Sequence, residues 1–199
     1  MRSSLLIHHG CFGAAVHKLL ASESDVIDAR AADHWPPGEA PLSRDSEVLV
    51  AMGSPDMHFL KRVCELYPSA RVCGVFLFER FLVISPVFGA GQPCCDCFLR
   101  RFTSHPPFPY TVEATEAIVS LAGIASGHEY LGFPPMAVRI AREMASAQFQ
   151  TSSHHCSLVD LANTHHQSVR LVPLHGCACR RGSIAHAGRF VRFRKELAS

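Results

Sequence analysis

Residues 92–101 read QPCCDCFLRR, and residues 172–181 read VPLHGCACRR. Cys94 and Cys97 make one close pair, Cys177 and Cys179 another, and both pairs run into two arginines. Cys-x-x-Cys sets two thiolates on one side of a tight turn, and a second pair can complete a tetrahedron around zinc. Four thiolates leave no position open for water, so the expected role is structural, without Lewis-acid chemistry. The ion would clip together two remote stretches of an α/β chain. Cys95, between the two ligands of the first pair, is expected to point away.

Around this pattern the composition is that of a folded domain. The chain has 199 residues, 48% hydrophobic and 18% charged, enough for one core and too apolar for disorder. No apolar run approaches the roughly 18 residues needed to span a bilayer, and no apolar signal segment follows Met1-Arg2. A cytoplasmic, reducing compartment is therefore the default, and there paired cysteines favour metal over disulfide. Cys11, Cys64, Cys73 and Cys156 are scattered, with Cys64 and Cys73 in apolar surroundings that suit small core residues. The net charge of +2 excludes little, but Arg180, Arg181, Arg189, Arg192, Arg194 and Lys195 crowd the end of the chain. This basic tail, 180–199, reads as solvated or as facing an acidic protein, since no aromatic-rich RNA motif precedes it.

The order of elements is α/β. Leu5, Leu6 and Ile7 predict a strand, Gly10 and Gly13 a turn, and AAVHKLL a helix. Val26 and Ile27 predict a second strand ending at Asp28. This is the outline of a Rossmann-type unit in degenerate form. The fingerprint wants G-x-G-x-x-G, whereas the chain offers Gly10-x-x-Gly13, with His8, His9 and Phe12 adding bulk where a phosphate needs the backbone. Residues 34–46 read as a loop and Glu47–Met52 as a buried strand. A helix opens with Ser54 as cap and Pro55 at its first position, and Pro68 stops it. Ala70–Phe78 and Phe81–Val87 form a hairpin through Glu79-Arg80. Residues 103–112 are a proline-rich loop, 113–126 and 136–149 are helices, and 157–161 and 169–174 are strands.

Phe81–Arg101, FLVISPVFGAGQPCCDCFLRR, resembles a segment of the ThiF-like (ubiquitin-activating-like) proteins of bacterial peptide natural-product clusters. There a strand with a Gly-Pro step runs into Pro-Cys-x-x-Cys with arginine beyond, and Pro86, Gly91 and Pro93 stand near those places. Leu158–Cys179, with Asp160-Leu161 and VRLVPLHGCAC, is similar to the family's closing hairpin and second zinc pair. The resemblance covers residues 47–179 and extends to 1–46 through the Rossmann outline. It points to the zinc-binding subunits of azole- and azoline-forming synthetases of the microcin type, used in bacteriocin and antibiotic biosynthesis. It implies a structural zinc held by Cys94, Cys97, Cys177 and Cys179. It also implies a YcaO-type cyclodehydratase partner, a bound precursor peptide, and a homodimer or hetero-oligomer. The partner would use ATP to turn Cys, Ser and Thr of the precursor into heterocycles. Two departures stand out. The second pair is Cys177-x-Cys179 rather than Cys-x-x-Cys, which makes His175 a substitute ligand. The Asn-Arg-Gln motif and an ATP loop are missing, as expected of a non-adenylating scaffold.

Rival readings sit beside this one. An active adenylating enzyme of the same fold would use Gly10, Gly13 and Asp28, although a turn aspartate is the blander reading of Asp28. A free-standing zinc-binding interaction domain would need no peptide chemistry. His154-His155 and His165-His166 offer at most one ligand per strand face, so loop histidines are the default over a second metal. Cys11 near His9 is not ordered into a nucleophile and base. The hairpin at 70–88 and the helices at 113–149 are the expected docking surface, and open sheet edges could accept a peptide by strand addition.

Overall fold

β-Branched and aliphatic residues without polar interruption form strands buried on both faces, and three such runs build the centre of this protein. They are β1 (Ser4–His9), β3 (Glu47–Met52) and β4 (Arg71–Phe78). The computed structural model describes residues 4–22, 27–31, 42–43, 45–89, 93–104, 133–151, 154–174, 176–177 and 179. The remaining elements are α1 (Gly10–Ser22), β2 (Ile27–Ala31), α2 (Met57–Leu66), β5 (Phe81–Ile84), α3 (Cys95–Ser104), α4 (Pro135–Thr151), β6 (His155–Asp160) and β7 (His166–Arg170).

Seven strands lie in one sheet in the order β2-β1-β3-β4-β5-β6-β7. The first four are parallel and the last four antiparallel, with β4 belonging to both sets. Helices α1 and α4 cover one face, where Phe12, Val16, Leu77, Leu82, Ala141 and Phe149 pack together. Helices α2 and α3 cover the other, with Leu60, Val63, Phe76, Phe78, Phe98 and Phe102. Arg71 ties the lower end of the sheet to α4: it pairs with Glu47 at 2.8 Å, donates to the Phe149 carbonyl and lies over the Phe149 ring.

The α/β order expected from the sequence is present, with local corrections. The helix after β3 is capped by Asp56 rather than Ser54. The Asp56 carboxylate accepts the Phe59 N–H at 2.9 Å, which satisfies a donor that the first turn leaves free. β5 stops at Ile84 instead of Val87, because Pro86 has no N–H for a ladder and the Ser85 hydroxyl takes the Gly74 N–H. β2 runs on to Ala31, which puts Asp28 opposite Leu5, near the start of its strand. β7 occupies 166–170 rather than 169–174, since Pro173 interrupts the apolar run. The 70–88 hairpin is not a docking surface: all but one of its strand residues are buried, and β5 sits between β4 and β6. The predicted helix at 113–126, most of the 34–46 loop, His175 and the 180–199 tail lie outside the described residues.

Candidate metal centre

The polypeptide brings its two cysteine pairs together by different means. After β5 the chain returns along β4, where Phe88 bridges Val72, and then turns into α3. Cys94 precedes this helix and Cys97 lies in its first turn, so the x-x spacing is one helical turn rather than a free loop. Phe98 N–H closes that turn on the Cys94 carbonyl at 3.2 Å. The sequence reading missed this helix. Its signal was Cys95, Phe98 and Phe102 at positions i, i+3 and i+7, all buried in the α2–α3 layer. The second pair follows β7 through Leu171–Leu174, where Arg101 Nε donates to the Val172 carbonyl at 2.8 Å. Cys177 N–H bonds the Leu174 carbonyl at 3.1 Å, and Gly176 takes a positive φ of 82° that favours glycine.

All four sulfurs meet. Cys94 Sγ lies 3.6 Å from Cys97 Sγ and 3.4 Å from Cys177 Sγ. Cys97 and Cys179 are 3.5 Å apart, and Cys177 and Cys179 are 3.3 Å apart. All of them lie within 4.8 Å of one another. A tetrahedron with metal–sulfur bonds of about 2.3 Å has edges of about 3.8 Å, a length that falls between the 3.3 Å of the shortest pair and the 4.8 Å bound on all of them. Among the described residues this is the group of metal-ligating side chains able to hold an ion, and no histidine belongs to it. Cys95 points away as expected, buried against Cys64.

The electrostatics suit deprotonation at this place. The site sits at the start of α3, where the helix end favours negative charge. Leu174 N–H points at Cys97 Sγ, 3.3 Å away. The Cys179 backbone N–H and the surrounding thiols pull the Cys177 thiol down to about 7, while burial pushes Cys94 and Cys179 up. A bound ion would displace the protons that the thiols hold. Lys61 pairs with Asp96 at 2.8 Å and fixes the first turn of α3 to α2.

The corner where a Rossmann fold takes phosphate is built differently. Helix α1 follows β1 without an intervening loop, and Gly10, φ 74°, makes the turn alone. Gly13 serves close packing: a Cβ there would come 2.5 Å from the Ala51 carbonyl oxygen. Phe12 is buried and stands edge-on to Phe133, while His8 stacks on His17 with ring centres 4.9 Å apart. Ligands of open α/β sheets sit outside the carboxyl ends of the strands. Asp28 lies toward the opposite end of β2, away from where a ribose would be held.

No protein-family profile matches the chain, and no characterised protein sequence does. Solved structures share its fold. The E. coli microcin synthetase McbBCD complex superposes with a TM-score of 0.61 at 12% identity, covering 89% of this chain and 68% of that one. A heterocyclase in complex with substrate and cofactor gives 0.60 at 14% identity over 89% of this chain but 25% of its own. E. coli MccB with MccA gives 0.51 at 12% identity, covering 88% and 66%. At such identities the likeness is one of fold, and the chain spans about a quarter of the heterocyclase.

Proposed function

We propose that the protein is a zinc-stapled, non-adenylating subunit of a peptide heterocyclase complex, which positions the precursor peptide for a YcaO-type cyclodehydratase. The observation that carries this reading is the assembled four-sulfur cluster. It gives two remote cysteine pairs a shared role. The first βα turn, Gly10-x-x-Gly13, lacks the glycine-rich fingerprint that gives a phosphate close approach to the backbone, which supports a subunit without its own adenylating chemistry. The shared fold with a microcin synthetase complex and a heterocyclase supports the same assignment.

In this reading Cys94, Cys97, Cys177 and Cys179 hold zinc, whose filled coordination supplies rigidity and no Lewis acid. The ion fixes the N-terminus of α3 against the segment after β7, and so sets the shape of the face between them. The partner subunit supplies ATP chemistry.

Co-expression with the genomic neighbours tests the proposal. The expected result is a complex containing a cyclodehydratase, one zinc per copy of this chain, and no ATP binding by the isolated chain. Micromolar ATP binding that Gly13→Val abolishes would replace it with the adenylating reading. Stoichiometric zinc without any peptide-modifying partner would replace it with a free-standing interaction domain.

A further inference from the structure

The α2–α3 face of the sheet is not fully covered. Helix α3 ends beside β6, and a groove opens along β6 and β7 beyond it. Its apolar end has a volume of about 220 Å³ and is lined by Phe98, Phe102, Leu158 and Leu171, with Arg101 beside them. A polar end of about 190 Å³ continues past the same Leu158 toward the β6–β7 turn. Val169, in the wall, is 44% exposed, and every residue of β7 is exposed. No acidic side chain lines the apolar end among the described residues.

The groove runs beside an open edge. Among the described residues β7 pairs with β6 alone. Asp160 N–H bonds the His165 carbonyl, and Leu171 N–H bonds the His154 carbonyl, at 2.9 and 2.8 Å. These fix the alternation of the antiparallel ladder. Gln167 and Val169 then turn their backbone groups toward β6, and His166, Ser168 and Arg170 turn theirs outward. Three N–H groups and three carbonyls thus form a template for another strand.

We propose that β7 and this groove bind an extended, acidic peptide segment, which adds to the sheet as an eighth strand. One apolar side chain enters the Phe98–Leu171 pocket, and a carboxylate two residues along, on the same face of the added strand, meets Arg101. Main-chain bonds give affinity and the pocket gives selectivity. The inference rests on the reading of the chain as a peptide-handling subunit and names the chemistry that this subunit selects. Arg101, which has no acidic partner among the described residues and stands at a pocket end without carboxylates, favours acidic over basic segments.

The probe is a fluorescein-labelled decapeptide of alternating Thr and Val with a central Leu and a Glu two residues to either side of it, titrated onto the full chain and read by anisotropy. The same peptide with Lys in place of Glu is the comparison. The Glu peptide is expected to bind and the Lys peptide to bind much more weakly. Ser168→Pro removes one outward N–H without touching the β6–β7 ladder and weakens binding about fivefold, as the loss of one hydrogen bond requires. Ser168→Ala loses only the hydroxyl contact to His155 Nδ1 and leaves affinity unchanged. The Arg101→Glu variant reverses the preference, whether or not Ser168→Pro folds. Equal affinity for both peptides, or full affinity in Ser168→Pro, overturns the inference. So does a dimer by light scattering that Ser168→Pro splits while no peptide binds, for then a second copy occupies the edge. Loss of peptide binding with the cyclodehydratase complex intact removes the groove alone. Binding without such a partner leaves the groove standing and removes the synthetase.

Discussion

Removing the metal tests the central claim, and its effect can be sized. The Cys94–Cys177 link spans 83 positions. In the chain-entropy picture a cross-link of that length takes about 4.5 kcal/mol of freedom from the unfolded state at 25 °C. For a domain near 200 residues each kcal/mol moves the melting temperature by about 2–4 °C. Chelation under reducing conditions should therefore lower Tm by roughly 10–15 °C, and zinc should restore it. Circular dichroism melts with elemental analysis on the same sample provide the assay. Cys97→Ser should lose the ion and show the same drop. Cys95→Ser should keep the full metal content, because Cys95 is buried among α2 and α3 side chains outside the cluster. A substoichiometric metal content in reduced protein, a Tm unmoved by chelation, or metal loss in Cys95→Ser would each refute the reasoning.

Further predictions follow from single contacts. Gly13→Val should destabilise by about 2–3 kcal/mol in urea melts, because the new Cβ meets the rigid Ala51 backbone at 2.5 Å. Gly74→Ala should cost about 1 kcal/mol, since the atom it meets at 2.8 Å is the movable Leu60 Cδ2. Asp56→Ala should cost about 1 kcal/mol through loss of the α2 cap. Burial, then the neighbouring His17 and His9, hold His8 below its ordinary value of 6.5. Its neutral form is thus favoured in the fold: the stability is whole above the unfolded value and is lost as pH falls from there through the folded one. Urea midpoints should drop as the pH falls below about 6.5, and drop less in His8→Gln.

Much of the architecture was legible because the signals were local. LLI at 5–7, EVLVAM at 47–52 and the long apolar run at 70–84 carry strand composition. The helix at 135–151 carries a 3.6-residue period. The N-cap was misplaced by two residues because Ser54 and Asp56 are both competent caps, and only the path of the chain after Met52 chooses between them. The α3 helix is hard to read because Cys94-x-x-Cys97 suits a metal-binding turn and a first helical turn equally. The unbroken apolar character of the 70–88 hairpin fits a strand pair buried on both faces and not a docking surface. The likeness to microcin synthetase and heterocyclase structures is consistent with the resemblance seen in residues 81–101 and 158–179, at the level of fold.

The α/β order and the expected meeting of the four sulfurs were legible in the chain, because strand composition and cysteine spacing are properties of short stretches. The separations of those sulfurs, the packing role of Gly13 and the edge position of β7 among the described residues were not. Those facts depend on which strands become neighbours, and that is decided by burial across the whole sheet rather than by any segment. The 3.3–3.6 Å separations of Cys94, Cys97, Cys177 and Cys179 are a product of that arrangement.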